Sequence, residues 1–449
     1  MGHKMGIKKL SVRSVRKLSI VGNYYLRKVS NLATRVEGKA TKILDGVDGS
    51  IRIEKTVQFE KVYYNANPFI TPIQPAMPAI GSSPTITLFI PSLDGASFFG
   101  GTATALVASA LLAKKMNRKL RIVQTLKTGN PGSLSFFFKR EGIDFSDDNI
   151  KVISVTDRAY NKYGYISMHP EDIFIASAWW DAYLLNKLPL SQKFIYLVQD
   201  FEPIFYNNSD LYVMAEETYK YDSFIPLCNT ELMLDFMKER SYRAFSKGYF
   251  FEPAVSRNTT GKITSITTDK AAKRKMFLYG RPNVHRNLFF TAVGSINTAI
   301  QSRYIKPSEW EFFMAGQDNL PDIQLSAGVT IKNLGKMSMS EYIEFCKTVD
   351  VAISPMMAPH PNYPTLEFAS TGAMVVTTRY ANKQNLDRYS KNIIMADTSL
   401  DSLAGAINIA VNTDKKTRQK NLTGSNISSS WHTSLNTTLG EISSLFKDS

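Results

Sequence analysis

An α/β architecture of two Rossmann-like domains, with parallel sheets facing each other across a cleft, is predicted by three observations. From about residue 84 onward, short apolar and β-branched runs alternate with longer helical patterns, which marks parallel strands joined by crossover helices. A polar stretch without apolar periodicity, residues 256–273 (SRNTTGKITSITTDKAAK), interrupts that alternation, and the same alternation then resumes. The chain has 449 residues, 43% of them hydrophobic and 21% charged, a globular composition on a length beyond one ordinary domain.

Before the alternation begins, the chain opens on a charged segment. Lys4, Lys8, Lys9, Arg13, Arg16, Lys17, Arg27, Lys28, Arg35 and Lys39 face only Glu37 within residues 1–40, which holds much of the net charge of +15. Between them Val15, Leu18, Tyr25, Val29, Leu32 and Val36 recur at helical separations and fall on one stripe. The segment reads as a basic amphipathic helix. Such a helix either lies on an anionic membrane or packs on its own protein, and the pattern fits both. Nucleic acid is not the expected partner, since the chain carries no RNP-type aromatic motif, no zinc finger and no cluster resembling a recognition helix.

Residues 41–255 form the first predicted domain, with strands in ITLFIPSL, KLRIVQTL, IKVISVTD, DIFIASA, FIYLVQD and SFIPLCN. The linker at 256–273 leads to a second domain over 274–412, with strands in KMFLYG, WEFFMAG, VTIKNLG, VAISPMM and MVVTT. Residues 413–449 form a Ser/Thr-rich tail and a last helix near LGEISSLF, whose place in the fold the sequence leaves open. Only Cys228 and Cys346 occur, each in an apolar run, too few for a disulfide framework or a cysteine zinc site. With no run of about 18 apolar residues and no signal-peptide core, the expectation is a cytoplasmic chain, held peripherally at the inner face of the plasma membrane if the basic helix docks there.

Ligands of such folds bind outside the carboxyl ends of the strands, so the cleft between the domains is where chemistry is expected. In the first domain Gly100-Gly101 opens a helix after a strand, offering free N–H groups and close backbone approach to an anion; a plain tight turn explains the pair equally well. In the second domain KMFLYG ends in Gly280-Arg281, with Arg286 five residues on, two permanent cations suited to a diphosphate or simply surface arginines. Lys336, in a later strand-to-helix loop, is a third cation able to reach the same phosphates. The segment Pro359-His360-Pro361-Asn362-Tyr363-Pro364 is a rigid loop before a short helix carrying Glu367, a carboxylate for sugar or ribose hydroxyls or a cap for its own helix. Asp200 and Glu202 follow strand FIYLVQD and are candidates for acceptor binding or acid/base work; Asp181 is a weaker candidate, and Trp179 and Trp180 are either core or a sugar platform.

These motifs together resemble the retaining GT-B glycosyltransferases of the family 4-like type, and within them the WsaF-like rhamnosyltransferases. Three segments carry the resemblance: Gln199-Asp200-Phe201-Glu202-Pro203; Tyr279-Gly280-Arg281-Pro282 with Arg286-Asn287; and Pro359 to Pro364 with Leu366-Glu367 and Gly372. The resemblance covers roughly residues 84–412. It implies that Arg281 and Arg286 hold the donor diphosphate, with Arg286 replacing the usual lysine. Lys336 fits a Leu-Gly-Lys pattern, Gly100-Gly101 the first-domain glycine loop, and Glu367 the second of two glutamates, the one that binds the ribose. Pro359 occupies the position of the first glutamate, a departure that bears on recognition of the donor sugar.

The implied function is transfer of a sugar, L-rhamnose from dTDP-L-rhamnose, to a lipid-linked surface polysaccharide or O-antigen glycan, with retention and without a metal ion or other cofactor. The implied site is Asp200 and Glu202 as catalytic groups, with Gly100, Gly101, Gly280, Arg281, Arg286, Lys336, His360, Tyr363 and Glu367 binding the donor. A nucleotide-sugar epimerase on a similar frame, and a non-catalytic, membrane-docked glycan assembly protein, are the alternatives.

Overall fold

Runs such as Phe194–Val198 (FIYLV) and Met374–Thr378 (MVVTT) are buried at every residue. Strands apolar on both faces are stable only where helices cover both faces of the sheet, as in a parallel α/β fold. The computed structural model describes residues 58–93, 100–130, 132–159, 164–255, 266 and 273–446. The chain falls into two compact units, 1–63 and 64–449. In the first, the described residues begin the helix Phe59–Ala66; the expected basic helix over 1–40 lies outside the described residues, as does nearly all of the linker at 256–273.

Within residues 64–449, a short parallel pair joins β1 (Gln74–Ala76) to β5 (Tyr165–Ser167). The first large sheet is built from β2 (Thr85–Ile90), β3 (Lys119–Gln124), β4 (Ile150–Ser154), β6 (Ile173–Ala176), β7 (Phe194–Val198), β8 (Phe224–Asn229) and β9 (Tyr249–Phe251). Their order is β4-β3-β2-β6-β7-β8-β9, parallel throughout. The second uses β10 (Arg274–Tyr279), β11 (Trp310–Ala315), β12 (Ile323–Gln324), β13 (Thr330–Asn333), β14 (Val351–Ile353), β15 (Met374–Thr378) and β16 (Ile393–Ala396). Its order is β12-β13-β11-β10-β14-β15-β16, with only β12 antiparallel to its neighbour. All eleven sequence-predicted strands are present. β1, β5, β9, β12 and β16, each two to four residues long, are not among them.

The last helix finds its place through an unusual partner. Helix Gly100–Lys115 (GGTATALVASALLAKK) buries residues around almost its whole circumference, so one face is left needing a cover beyond the sheet. Helix Trp431–Ser444 supplies it. Trp431, Leu435, Leu439 and Ile442 join the same core cluster as Leu106, Ala110 and Ala113, and Trp431 Nε1 donates to Glu141 Oε2 at 3.2 Å. The C-terminal residues thus return to the first half. Burying these four side chains is worth roughly 1.5–3 kcal/mol each.

Across the two halves, Arg388 pairs with Glu231 at 2.8 Å and with Glu252 at 2.6 Å, and Asn382 Nδ2 donates to the Leu232 carbonyl at 2.7 Å. These bonds hold the two sheets within one compact body, so that the loops at their strand ends meet.

Candidate active site

In each large sheet the strand order reverses direction once, between β2 and β6 in the first and between β10 and β14 in the second. At such a point the loops leaving neighbouring strands splay to opposite sides and open a crevice at the carboxyl ends. Arg281 and Arg286 follow β10, and His360, Tyr363 and Glu367 follow β14, on the two sides of the second reversal. Asp200 and Glu202 follow β7, and Gly100-Gly101 follows β2, in the first half.

Asp200 is the centre on which both halves converge. Its side chain is 8% exposed; Oδ2 lies 3.0 Å from Arg286 Nε, and Oδ1 lies 3.4 Å from His360 Nε2. Oδ1 also accepts the Phe201 N–H at 2.9 Å. Burial alone would raise this carboxyl, but the His360 ring and the Arg286 guanidinium outweigh it and hold the group below the usual carboxylate range. His360 Nδ1 faces the Pro361 carbonyl at 2.8 Å, an atom that can only accept, so Nδ1 is the donor of that bond. Arg286, a quarter exposed, lays its guanidinium over the Phe205 ring at 4.1 Å, and its Nε meets Asp200 as an ion contact rather than an aligned hydrogen bond.

Arg281 stands differently. It is exposed, and its contact at the strand end is Nη1 to the Tyr279 hydroxyl at 3.3 Å. Its loop and that of Lys336 are neighbours: the Gly316 N–H donates to the Gly335 carbonyl at 3.1 Å, and a Cβ on Gly316 would lie 2.9 Å from Arg281 Cγ. Gly335 has φ +67°, and Asp318 caps this turn by accepting the Lys336 N–H at 2.7 Å, leaving the exposed Lys336 side chain at the turn's crest. Gly280 donates its N–H to the Ala315 carbonyl at 2.8 Å, and a Cβ there would press on Met314 at 3.2 Å.

Glu367 sits in the body of helix Tyr363–Ser370, whose cap is Asn362, the acceptor of the Thr365 N–H at 2.9 Å. The capping role open to Glu367 in the sequence therefore belongs to Asn362. Glu367 instead accepts the Tyr342 hydroxyl at 2.7 Å, and burial pushes its carboxyl up to about 7. Tyr363 crosses the cleft: its hydroxyl meets Thr104 Oγ1 at 2.5 Å and Asn229 Nδ2 at 3.1 Å, both in the first half. Gly101 packs against Gln199, whose Nε2 donates to the Gly101 carbonyl at 2.9 Å, and a Cβ there would approach that amide to 3.3 Å. The turn before them, Asp94 to Phe99, lies outside the described residues.

Residues 85–231 match the family described as WsaF, N-terminal domain, and residues 274–408 match WsaF, C-terminal domain. The chain belongs to the WsaF family. It is 26% identical over 240 residues to the O-antigen biosynthesis protein RfbC of Myxococcus xanthus, an alignment covering 54% of this chain and 18% of that protein. The chain thus spans less than a fifth of that relative. Among solved structures, Anabaena Alr3699/HepE in complex with UDP-glucose superposes with a TM-score of 0.54 at 12% identity, over 80% of this chain and 99% of that one. The α,α-trehalose 6-phosphate synthase of Burkholderia multivorans gives 0.55 at 8% identity, over 81% and 100%. At these identities the likeness establishes the GT-B fold.

Two of the expected groups of this WsaF-like chain are buried in hydrogen bonds that hold the fold. Glu202 is 5% exposed, and its Oε2 accepts the Trp179 N–H at 2.6 Å, closing the first turn of helix Trp179–Asn186, which has no side-chain cap of its own. Burial, reinforced by Asp181 and Asp200, pushes it up to about 8 despite that amide. Asp181 is fully buried against Thr125 Oγ1 and Ser177 Oγ, and Trp179 is wholly core. Missed from the sequence were Phe205, Thr104, Asn229 and Lys383. Lys383, fully buried, donates to the Met356 carbonyl at 2.9 Å; a single lysine after strand MVVTT carries no sequence signal of such burial.

Proposed function

We propose that this chain transfers L-rhamnose from dTDP-L-rhamnose to a growing surface polysaccharide or O-antigen glycan carried on a lipid. The observation that carries the reading is the convergence on buried Asp200 of Arg286 and His360 from the opposite half, beside the loops of Arg281, Lys336 and Glu367. The sugar follows from the WsaF family, the glycan from the O-antigen relative, and the nucleotide-sugar donor is in keeping with the UDP-glucose bound to HepE.

In this reading Arg281 and Lys336, exposed and unburdened by carboxylates, take the diphosphate first, and Arg286 joins them as the donor settles, before charge develops on the leaving group. Fixed cations stabilise a leaving diphosphate most when they are in place before the bond breaks. The neutralising charge is assigned to these side chains rather than to a metal ion, and the resemblance assigns retention at the anomeric carbon. Glu367 takes the ribose. Asp200, kept ionised, orients the acceptor hydroxyl and takes its proton as the new glycosidic bond forms and the sugar–phosphate bond breaks, while Glu202 supports the site from behind by fixing helix Trp179–Asn186. The basic segment 1–40 is assigned to the anionic membrane face where a lipid-linked acceptor lies. Among the described residues no helix is long and apolar enough to cross a membrane.

The test is transfer of labelled sugar from dTDP-L-rhamnose to lipid-linked glycan, with UDP-glucose as the competing donor. Rhamnose transfer, lost in Arg281→Ala, supports the reading; transfer from UDP-glucose alone replaces the sugar, and turnover without any acceptor product removes the transferase assignment.

A further inference from the structure

Lys383 is a buried charged group of this neighbourhood that the mechanism above does not use. It lies on the turn after β15, where Tyr380 and Lys383 pair through two backbone hydrogen bonds of 2.8 and 3.2 Å. That turn closes without the lysine side chain. The residue is nonetheless fully buried, and among the described residues its ammonium has a single acceptor, the Met356 carbonyl at 2.9 Å. A buried ammonium with one hydrogen bond opposes folding, and an apolar side chain of the same length would be tolerated or preferred there.

What the charge serves lies at the far end of that bond. The Met356 carbonyl also accepts Thr378 Oγ1 at 3.0 Å, so the peptide joining Met356 to Met357 is pinned from the side of β15. The N–H of the same peptide, on Met357, donates to the Arg286 carbonyl at 2.8 Å. The backbone from which the Arg286 side chain extends is thus hung on a peptide that Lys383 holds. The same loop carries His360, the second partner of Asp200. Burial depresses Lys383 to about 7, and the Asp200 charge works against that fall, so Lys383 and Asp200 feel one another.

We propose that Lys383 is a positioning residue of the donor site, holding the peptide on which Arg286 hangs and keeping buried Asp200 compensated when Arg286 turns to the donor diphosphate. The proposal rests on the donor-site reading above. Asp200 has two ionisable side chains at contact distance, Arg286 and His360; when a diphosphate takes the first, the second must stay in place to keep the buried carboxylate compensated, and Lys383 pins at Met356 the loop that carries it.

Calorimetric titration of the full chain with dTDP tests it. Lys383→Met is expected to fold, to unfold at a temperature no lower than the wild type, and to bind dTDP at least tenfold more weakly. Lys383→Arg, which keeps a charge and a donor, is expected to recover at least threefold of that loss. In an Asp200→Asn background, with no buried carboxylate to compensate, Lys383→Met is expected to cost threefold or less. Wild-type dTDP affinity in Lys383→Met, alongside a loss in Arg281→Ala, overturns the proposal and leaves the donor site standing. A Lys383→Met chain that fails to fold, or an undiminished loss in the Asp200→Asn background, overturns it too. If Arg281→Ala and Arg286→Ala also bind dTDP normally, the donor-site reading falls and takes this proposal with it.

Discussion

Asp200→Asn should tighten nucleotide binding while impairing catalysis. Arg286 is committed twice in this structure, to Asp200 at 3.0 Å and to the Phe205 ring at 4.1 Å, and a diphosphate must draw it from both. A hydrogen bond to a charged group contributes about 1.5–3 kcal/mol. The misaligned Nε and the quarter-exposed arginine put this contact at the low end, about 1.5 kcal/mol. The amide replacing the carboxylate keeps the shape but not the charge, so most of that energy is returned to the donor complex, worth about tenfold in affinity. Titration of wild type and Asp200→Asn with dTDP at one ionic strength measures this directly. An affinity for dTDP unchanged or lowered in Asp200→Asn would refute the competition, since it would mean that Arg286 is not the group the diphosphate recruits.

Three further outcomes follow from the same geometry. Tyr363→Phe strips the hydroxyl that joins Thr104 and Asn229 across the cleft and leaves both without it, at a cost of about 1–3 kcal/mol in thermal or denaturant unfolding. Trp431→Ala removes the anchor of the C-terminal helix from the first-half core, and about 3–5 kcal/mol of stability with it, read by the loss of the same unfolding transition. Stability should vary with pH in two opposed limbs. Glu202, raised to about 8, and Asp181 and Glu367, raised to about 7, keep protons that the unfolded chain sheds near pH 4, so stability falls between about pH 4 and 8; Lys383, lowered to about 7, has lost a proton that the unfolded chain keeps to about pH 10, so stability rises across that range, and this rise alone should vanish in Lys383→Met.

The fold was legible where burial writes itself into composition. Runs such as FIYLV and MVVTT announce strands covered on both faces, and the helical patterns between them force parallel order. The last helix was visible as a helix but not as a partner of Gly100–Lys115, because pairing across more than 300 residues leaves no local periodicity. In the site, the residues of the spaced motifs were legible as candidates: Arg281, Arg286, Lys336, His360 and Glu367. Their partnerships were not. That Arg286 rests on Asp200 and not beside Arg281 depends on how the two halves close, and that Glu202 caps a helix depends on Trp179 lying 23 positions away. Asn362 rather than Glu367 caps helix Tyr363–Ser370 because the cap needs a residue just outside the first turn, and Glu367 is too far along it.

The central claim, that the loops after β10, β13 and β14 hold a nucleotide-activated sugar, is tested most directly by thermal unfolding of the full chain with dTDP-L-rhamnose, UDP-glucose and a GDP-linked sugar, repeated on Arg281→Ala. A donor at about one hundred times its Kd adds about 2.7 kcal/mol of stability. The account predicts that dTDP-L-rhamnose raises the unfolding temperature of the wild type and leaves Arg281→Ala unmoved. A wild type stabilised by none of the three, or an Arg281→Ala chain stabilised as fully as the wild type, would contradict it.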